Sequence, residues 1–332
     1  VPGGGQPQAM PPATLRFRKS RQSKCAATVG EKRGIVGDNY IEDPNVGDAG
    51  VRLHALALQI ADTGKQLDAI AATQQNISVK AGLAAEEMHA GSFNNDAINK
   101  GEKVRAHTDR HPGFIAAGHN RNGPADIVMT DGNEIVGLAQ VKTYMSAEKS
   151  ATALRVLLPD GSPKYEDQIL IGPADQTEGI KEEAHRTFLK ESLPAGRPAV
   201  AAAAQMVENN ISDRLSHGGV ESTPLSLDDA RAIAKHPDGP ERQAQEDKNI
   251  NDAVAAVIAE EVAAGRTPSP DNLFADSIER LIGNGRGDGT DDLVWHFTSL
   301  DPDLSEAELD RHEAVRDRFR SCAEKMLSEQ NI

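Results

Sequence analysis

Residues 125–142 read ADIVMTDGNEIVGLAQVK: two extended apolar runs joined by Gly132-Asn133, whose chemistry suits a tight turn between antiparallel strands. No other stretch constrains the 332-residue chain as strongly. A hairpin set among helix-patterned segments implies a sheet, with helices to cover its faces.

The flanking patterns supply those helices. Residues 51–75 are rich in Ala, Leu and Gln and predict a helix, with Gly64 as its break. A second helix is predicted over 78–99, capped by Ser78 and ended by Gly101. Strands are expected at 113–117 (GFIAA), 125–131, 134–142 and 168–172 (QILIG). Helices are expected at 146–158 and 177–193. The order from 78 to 172 is thus α-β-β-β-α-β, an α/β class. Beyond Pro194 the pattern is helical and acidic, with pieces at 198–216, 226–236, 245–265, 270–283 and 304–328. Three regions follow: an arm over 1–50, an α/β core with its leading helices over 51–193, and a helical acidic region over 194–332.

Within the hairpin, Gln140 and Lys142 share one face of their strand, because side chains alternate. Val141 points the other way. Whether Asp126 joins them depends on parity. A three-residue loop, Asp131 to Asn133, pairs Asp126 with Leu138 and puts it on the face of Gln140. A two-residue loop without a bulge puts it on the wrong face. Convergence therefore requires an odd loop or a bulge.

A carboxylate, an amide oxygen and a lysine at one place suit metal-assisted hydrolysis. Asp126 and Gln140 offer hard oxygen ligands for Mg2+ or Mn2+. Such an ion acidifies a water and stabilises charge on a phosphoryl oxygen, with Lys142 beside it. On the helix over 78–99, Glu86 falls within the stripe of Val79, Leu83, Ala90, Phe93 and Ala97, and Glu87 lies about 100° round from it. A carboxylate on an apolar face must be paired, protonated or metal-bound. Glu86 is the preferred further ligand, Glu87 the substitute if the helix is rotated.

Gly82-x-x-x-Glu86, Pro124-Ala125-Asp126 and Gln140-x-Lys142, set in the αβββαβ order, resemble the PD-(D/E)xK nuclease superfamily over residues 78–172. The resemblance implies a restriction-endonuclease-like core, a four-stranded mixed sheet flanked by helices. It implies Mg2+-dependent (or Mn2+-dependent) cleavage of DNA, less often RNA, in settings that include bacterial defence and toxins. By it, Asp126 matches the motif aspartate, Gln140 the second acidic position, Lys142 the lysine and Glu86 the helix glutamate. Gln140 stands where the family usually carries Asp or Glu, which removes one negative charge from the metal site. That departure leaves a second reading: an inactive nuclease-like fold that binds DNA or a protein partner through 194–332. Many members of the superfamily act as homodimers.

Secondary candidates surround this set. His89 lies near the edge of the glutamate stripe, where it either meets a phosphate or a metal-bound water or serves the core. Gln168, at the start of the last expected strand, is placed to face the site or to cap a turn, with Tyr165, Asp167 and Gln176 close by. His107-x-x-x-His111 with His119 has zinc-like spacing but lacks an acidic or Cys partner, which favours a polar loop. Residues 283–292 are Gly- and Asp-rich but lack the glutamate of a calcium loop and read as a linker, with Trp295 a core anchor beyond.

Composition bounds the partners. Net charge is −15, yet residues 1–33 carry seven basic side chains against Glu31 alone. With its Gly and Pro content this arm is expected to be disordered, either a tether for nucleic acid or a solvated tail. The acidic remainder argues against charge-driven nucleic-acid binding unless basic residues collect at the cleft: Lys80, Lys100, Lys103, Arg105, Arg110 and Arg121 are the candidates. Two cysteines, Cys25 and Cys322, exclude a disulfide scaffold. No apolar run reaches a membrane span and no Sec-type signal opens the sequence, so a cytoplasmic protein is expected.

Overall fold

The computed structural model describes residues 49–119, 125–132, 134–270, 273 and 306–330. Residues 1–48 of the expected arm, most of the helix expected over 270–283, Arg121, Pro124, the 283–292 linker and Trp295 lie outside these residues. Among the described residues, no helix is long and apolar enough to cross a membrane.

The protein is α/β, with a mixed five-stranded sheet in the order β1-β2-β3-β4-β5. Helix α1 spans Ala49–Ala72 without a break. Gly64 has a different purpose: a Cβ there would lie 2.9 Å from the Arg242 guanidinium, so the glycine admits a neighbouring helix. Helix α2, Ile77–Lys100, is capped by Asn76, whose side chain accepts from the Val79 N–H, and not by Ser78. Its end at Gly101 matches the expectation. Residues are buried on nearly every side of α2, so it is an internal helix and not a surface helix with one apolar stripe. Val79, assigned to that stripe, is 43 % exposed.

Strand β1, Val104–Thr108, was not expected. Asn94 of α2 pins its outer edge, accepting from the Ala106 N–H at 2.7 Å and donating to the Ala106 carbonyl at 2.9 Å. This satisfies an edge that would otherwise be open. The expected strand at 113–117 is instead a short helix, α3, Pro112–Ala116. Proline at its start and the His111 side chain accepting from the Gly113 N–H explain the helical choice.

Strands β2, Ile127–Asp131, and β3, Glu134–Val141, form the predicted hairpin. Helix α4, Ala147–Leu154, crosses over to β4, Ile169–Ile171, which runs parallel to β3. Helix α5, Thr177–Glu191, and helix α6, Pro198–Asn210, follow. The helix expected to run to 216 stops at Asn210, and Ile211–Ser212 become β5, parallel to β4. A small hairpin, β6 (Ser216–His217) and β7 (Val220–Glu221), precedes α7, Leu227–Lys235. Helices α8, Pro240–Ala263, and α9, Glu306–Gln330, complete the described chain.

Side-chain parity divides the sheet. Ile127, Met129, Ala139, Val141 and Ile171 face one cluster with α2, α7 and the ends of the β5–α7 segment (Leu215, Val220, Leu225). Leu170 and Ile211 face the other, with Leu154, Tyr165, Ile180 and Val207. A third cluster joins α1 to α8 and α9. Residues beyond 194 thus contribute a strand and core side chains to the same sheet that carries the hairpin.

Candidate active site

The hairpin loop has two residues between the paired Asp131 and Glu134. Regular pairing from that turn would set Asp126 opposite Ala139, on the wrong face. The register shifts instead: Thr130 pairs with Ile135 but Met129 with Gly137, which leaves Val136 as an extra residue. Past this bulge Ile127 pairs with Ala139, and the Asp126 N–H donates to the Ala139 carbonyl at 2.9 Å. Asp126 therefore comes beside Gln140 and not Leu138. The requirement for an odd loop or a bulge is met by the bulge.

Three donors converge on Asp126 Oδ2. The Gln140 Nε2 amide donates to it, the Val141 N–H does so at 2.9 Å, and Lys142 Nζ lies at 3.3 Å. Lys142 Nζ also donates to the Val141 carbonyl at 3.0 Å. Gln140 is 2 % exposed, while the Asp126 and Lys142 side chains keep 23 % and 21 %. Among the described residues no hydrogen-bond donor reaches Asp126 Oδ1.

The two helix glutamates differ. Burial, and next the Asp126 charge, push the Glu86 carboxyl well above its usual range, opposed by Arg110 and Lys142. Glu86 is thus close enough to feel both members of the Asp126–Lys142 pair. Helix α2 passes the end of β3 here: a Cβ on Gly82, one turn before Glu86, would lie 3.4 Å from Thr143 Oγ1. Glu87 turns instead to β1, where it accepts from Thr108 Oγ1 at 2.6 Å and Arg110 Nη1 at 3.3 Å. Burial raises its carboxyl too, and those two hydrogen bonds oppose the rise. Arg110 reaches Glu86 at 3.7 Å as well, and Asp109 at 3.4 Å.

Other sequence candidates lie apart. His89 is 2 % exposed, its Nδ1 2.9 Å from Ser222 Oγ, and burial lowers its pKa to about 4. It is a core histidine and touches neither Asp126 nor Lys142. Gln168 is 7 % exposed, sits one residue before β4 and makes no side-chain hydrogen bond to Asp126, Gln140 or Lys142; its Oε1 has no partner among the described residues. Tyr165 does belong here: its phenol is close enough to Lys142, Asp126 and Tyr144 to feel their charges. His107 and His111 contact each other through Nδ1 atoms 3.0 Å apart, and His107 Nε2 meets Thr130 Oγ1 at 3.1 Å. His119 stacks edge-on against Phe114. The three histidines form no metal cluster.

Among the described residues the basic collar is sparse. Lys80 donates to the Ala71 carbonyl, Lys100 pairs with Asp96, and Arg105 donates to the Glu102 and Val104 carbonyls. Of the six expected cations, Arg110 meets the glutamates. Its role and that of Thr108 were hidden because both depend on β1, whose alternation in Val-Arg-Ala-His-Thr is short and built on small apolar residues.

Among the described residues no three of His, Cys, Asp and Glu gather as a metal site. The oxygens that fit a hard divalent ion are Asp126 Oδ1, which no donor among the described residues reaches, the Glu86 carboxylate, and the Gln140 side-chain oxygen. A cation there would favour the ionised carboxylate against the burial, and next the Asp126 charge, that raise Glu86. The Gln140 amide would have to turn, since its nitrogen now faces Asp126.

Compared with protein-family models, with curated proteins and with solved structures, the chain matches none.

Proposed function

We propose that the chain is a metal-dependent nuclease that hydrolyses phosphodiester bonds in DNA, with RNA as the second substrate class, on a core of the restriction-endonuclease type. The observation that carries this reading is the meeting of Asp126, Gln140 and Lys142 at the end of β3, with Glu86 within electrostatic reach. The order of elements from α2 to β4, one α-β-β-β-α-β series interrupted by α3, supports it.

Glu86, Asp126 and Gln140 would hold Mg2+ or Mn2+, which supplies an acidified water and Lewis-acid stabilisation of a phosphoryl oxygen. Lys142 holds its ammonium beside the Asp126 carboxylate, where it orients a water or meets charge developing on the phosphate. Arg110 draws Glu86 back toward its ionised form, and the backbone N–H of Val141 fixes the Asp126 carboxylate.

The test is cleavage of plasmid DNA with Mg2+ by the whole chain, by Asp126→Ala and by Lys142→Ala. Wild-type cleavage lost in both variants is the expected result; cleavage that survives both overturns the assignment. A neutral Gln140 that donates to Asp126, with no three of His, Cys, Asp and Glu gathered as a metal site among the described residues, favours a second reading: a nuclease-like fold kept for binding. That reading predicts a stable complex with DNA or a protein and no metal-stimulated cleavage.

A further inference from the structure

The chain has three tyrosines; Tyr165 lies within electrostatic reach of Asp126, Lys142 and Tyr144, and Tyr144 follows Lys142 by two positions. Tyr165 is 5 % exposed and packs into the core beneath the sheet. Tyr144 is 45 % exposed. Its carbonyl accepts from Gln176 Nε2 at 3.2 Å, and the next residue, Met145, contacts the Arg231 guanidinium through its sulfur. The backbone is thus held on both sides while the ring stands in solvent. A lone exposed aromatic needs no explanation. This one borders an open cavity of about 430 Å3, whose other walls are Glu148, Lys149, Thr152 and Ala153 of α4. Those four share one face of the helix, by i, i+4 spacing.

The chemistry of the walls is specific. An aromatic face offers stacking, Glu148 accepts hydrogen bonds from an exocyclic amine, and Lys149 meets a phosphate. At most roughly 7 Å of extended chain separates residue 142 from residue 144, a distance one nucleotide can span. We propose that this cavity receives one unpaired nucleobase, stacked on Tyr144, from the strand whose phosphate lies at Asp126 and Lys142. The substrate class is then single-stranded or locally unpaired DNA, because the base faces of a continuous duplex are already covered by their neighbours. This inference rests on the nuclease reading of the same site.

The test uses the full chain in EDTA, with fluorescence anisotropy on a labelled single-stranded oligodeoxynucleotide and on the same sequence as a duplex. The single strand is expected to bind about ten-fold more tightly than the duplex, Tyr144→Ala to weaken it about ten-fold, and Tyr144→Phe, which keeps the ring, to leave it unchanged. A 2-aminopurine strand should be quenched by the wild type and by Tyr144→Phe but not by Tyr144→Ala. Equal binding of duplex, an unaltered Kd in Tyr144→Ala, or no binding of the single strand overturns the proposal. Mg2+-dependent cleavage abolished by Lys142→Ala, together with an unaltered Kd in Tyr144→Ala, rejects the base subsite and keeps the hydrolase. A Tyr144-dependent Kd with no cleavage under Mg2+ or Mn2+ keeps the subsite and rejects the hydrolase.

Discussion

Lys142 Nζ lies 3.3 Å from Asp126 Oδ2, although sixteen positions separate the two in sequence. Both side chains keep about a fifth of their surface in contact with solvent, so the pair is poorly placed to serve stability alone. Lys142→Met is expected to leave Tm within about 2 °C of wild type, since partly exposed ion pairs contribute little. Mg2+-dependent DNA cleavage should fall by about a hundred-fold or more, the scale of removing one electrostatic stabiliser. Differential scanning fluorimetry and a plasmid-nicking assay read the two quantities. A large fall in Tm with cleavage retained would make Lys142 structural.

The bulge at Val136 controls which face Asp126 occupies. Deleting Val136 removes the extra residue, so the hairpin can pair regularly from the turn with Ile127 still opposite Ala139 and Asp126 still beside Gln140. The variant is expected to keep its helical circular dichroism and to retain the Mg2+-dependent cleavage that Asp126→Ala loses. Cleavage lost in a folded deletion variant would show that the site depends on the local shape of the bulge and not only on the pairing it sets.

Glu86 is held above the usual carboxylate range by burial and by the Asp126 charge. A carboxyl raised in the folded state favours folding while protonated, and that advantage drains away as pH climbs from the ordinary value through the raised one. Glu86→Gln should therefore match wild type near about pH 4 and exceed it in Tm near neutrality. Adding Mg2+ or Mn2+ near neutrality should raise the wild-type Tm and raise that of Glu86→Gln less. Equal shifts in both proteins would remove Glu86 from the ion's ligands.

His89 titrates in the opposite sense. Its folded pKa, about 4, lies below the ordinary histidine value of about 6.5. Its contribution is complete above about pH 6.5, and it is lost as pH falls toward about 4, because the unfolded chain takes the proton first. The loss amounts to about 3 kcal/mol by linkage. Urea unfolding of wild type and His89→Asn across that window should show the gap between the two narrowing toward acid. A constant gap would mean that the imidazole titrates normally.

Much of the candidate site was readable in the sequence because strands alternate. Gln140 and Lys142 had to share a face, and Asp126 had one of two fates. What decided between them, one unpaired residue at Val136, left little compositional trace beyond the adjacent Gly137, a residue that often marks such a kink. The edge strand Val104–Thr108 was hidden for a related reason: Ala106 is small, and Asn94, twelve residues earlier, holds it. GFIAA read as a strand from its apolar content, whereas Pro112 and the His111 cap favour a turn of helix. His89 and Glu86 lie three residues apart on one helix, yet one meets Ser222 and the other approaches Asp126. A single-stripe view of α2 cannot separate them, because the helix is enclosed on nearly every side.

The short strand Ile211–Ser212 has a practical bearing on how this protein is cut. It pairs with Leu170 and Ile171, and the residues after it supply Leu215, Val220 and Ser222 to the packing around α2. A fragment ending near residue 194 would leave the outer side of β4 bare and His89 without its hydroxyl partner. The shortest piece with the sheet whole and α2 still enclosed must reach the end of α7, at Lys235.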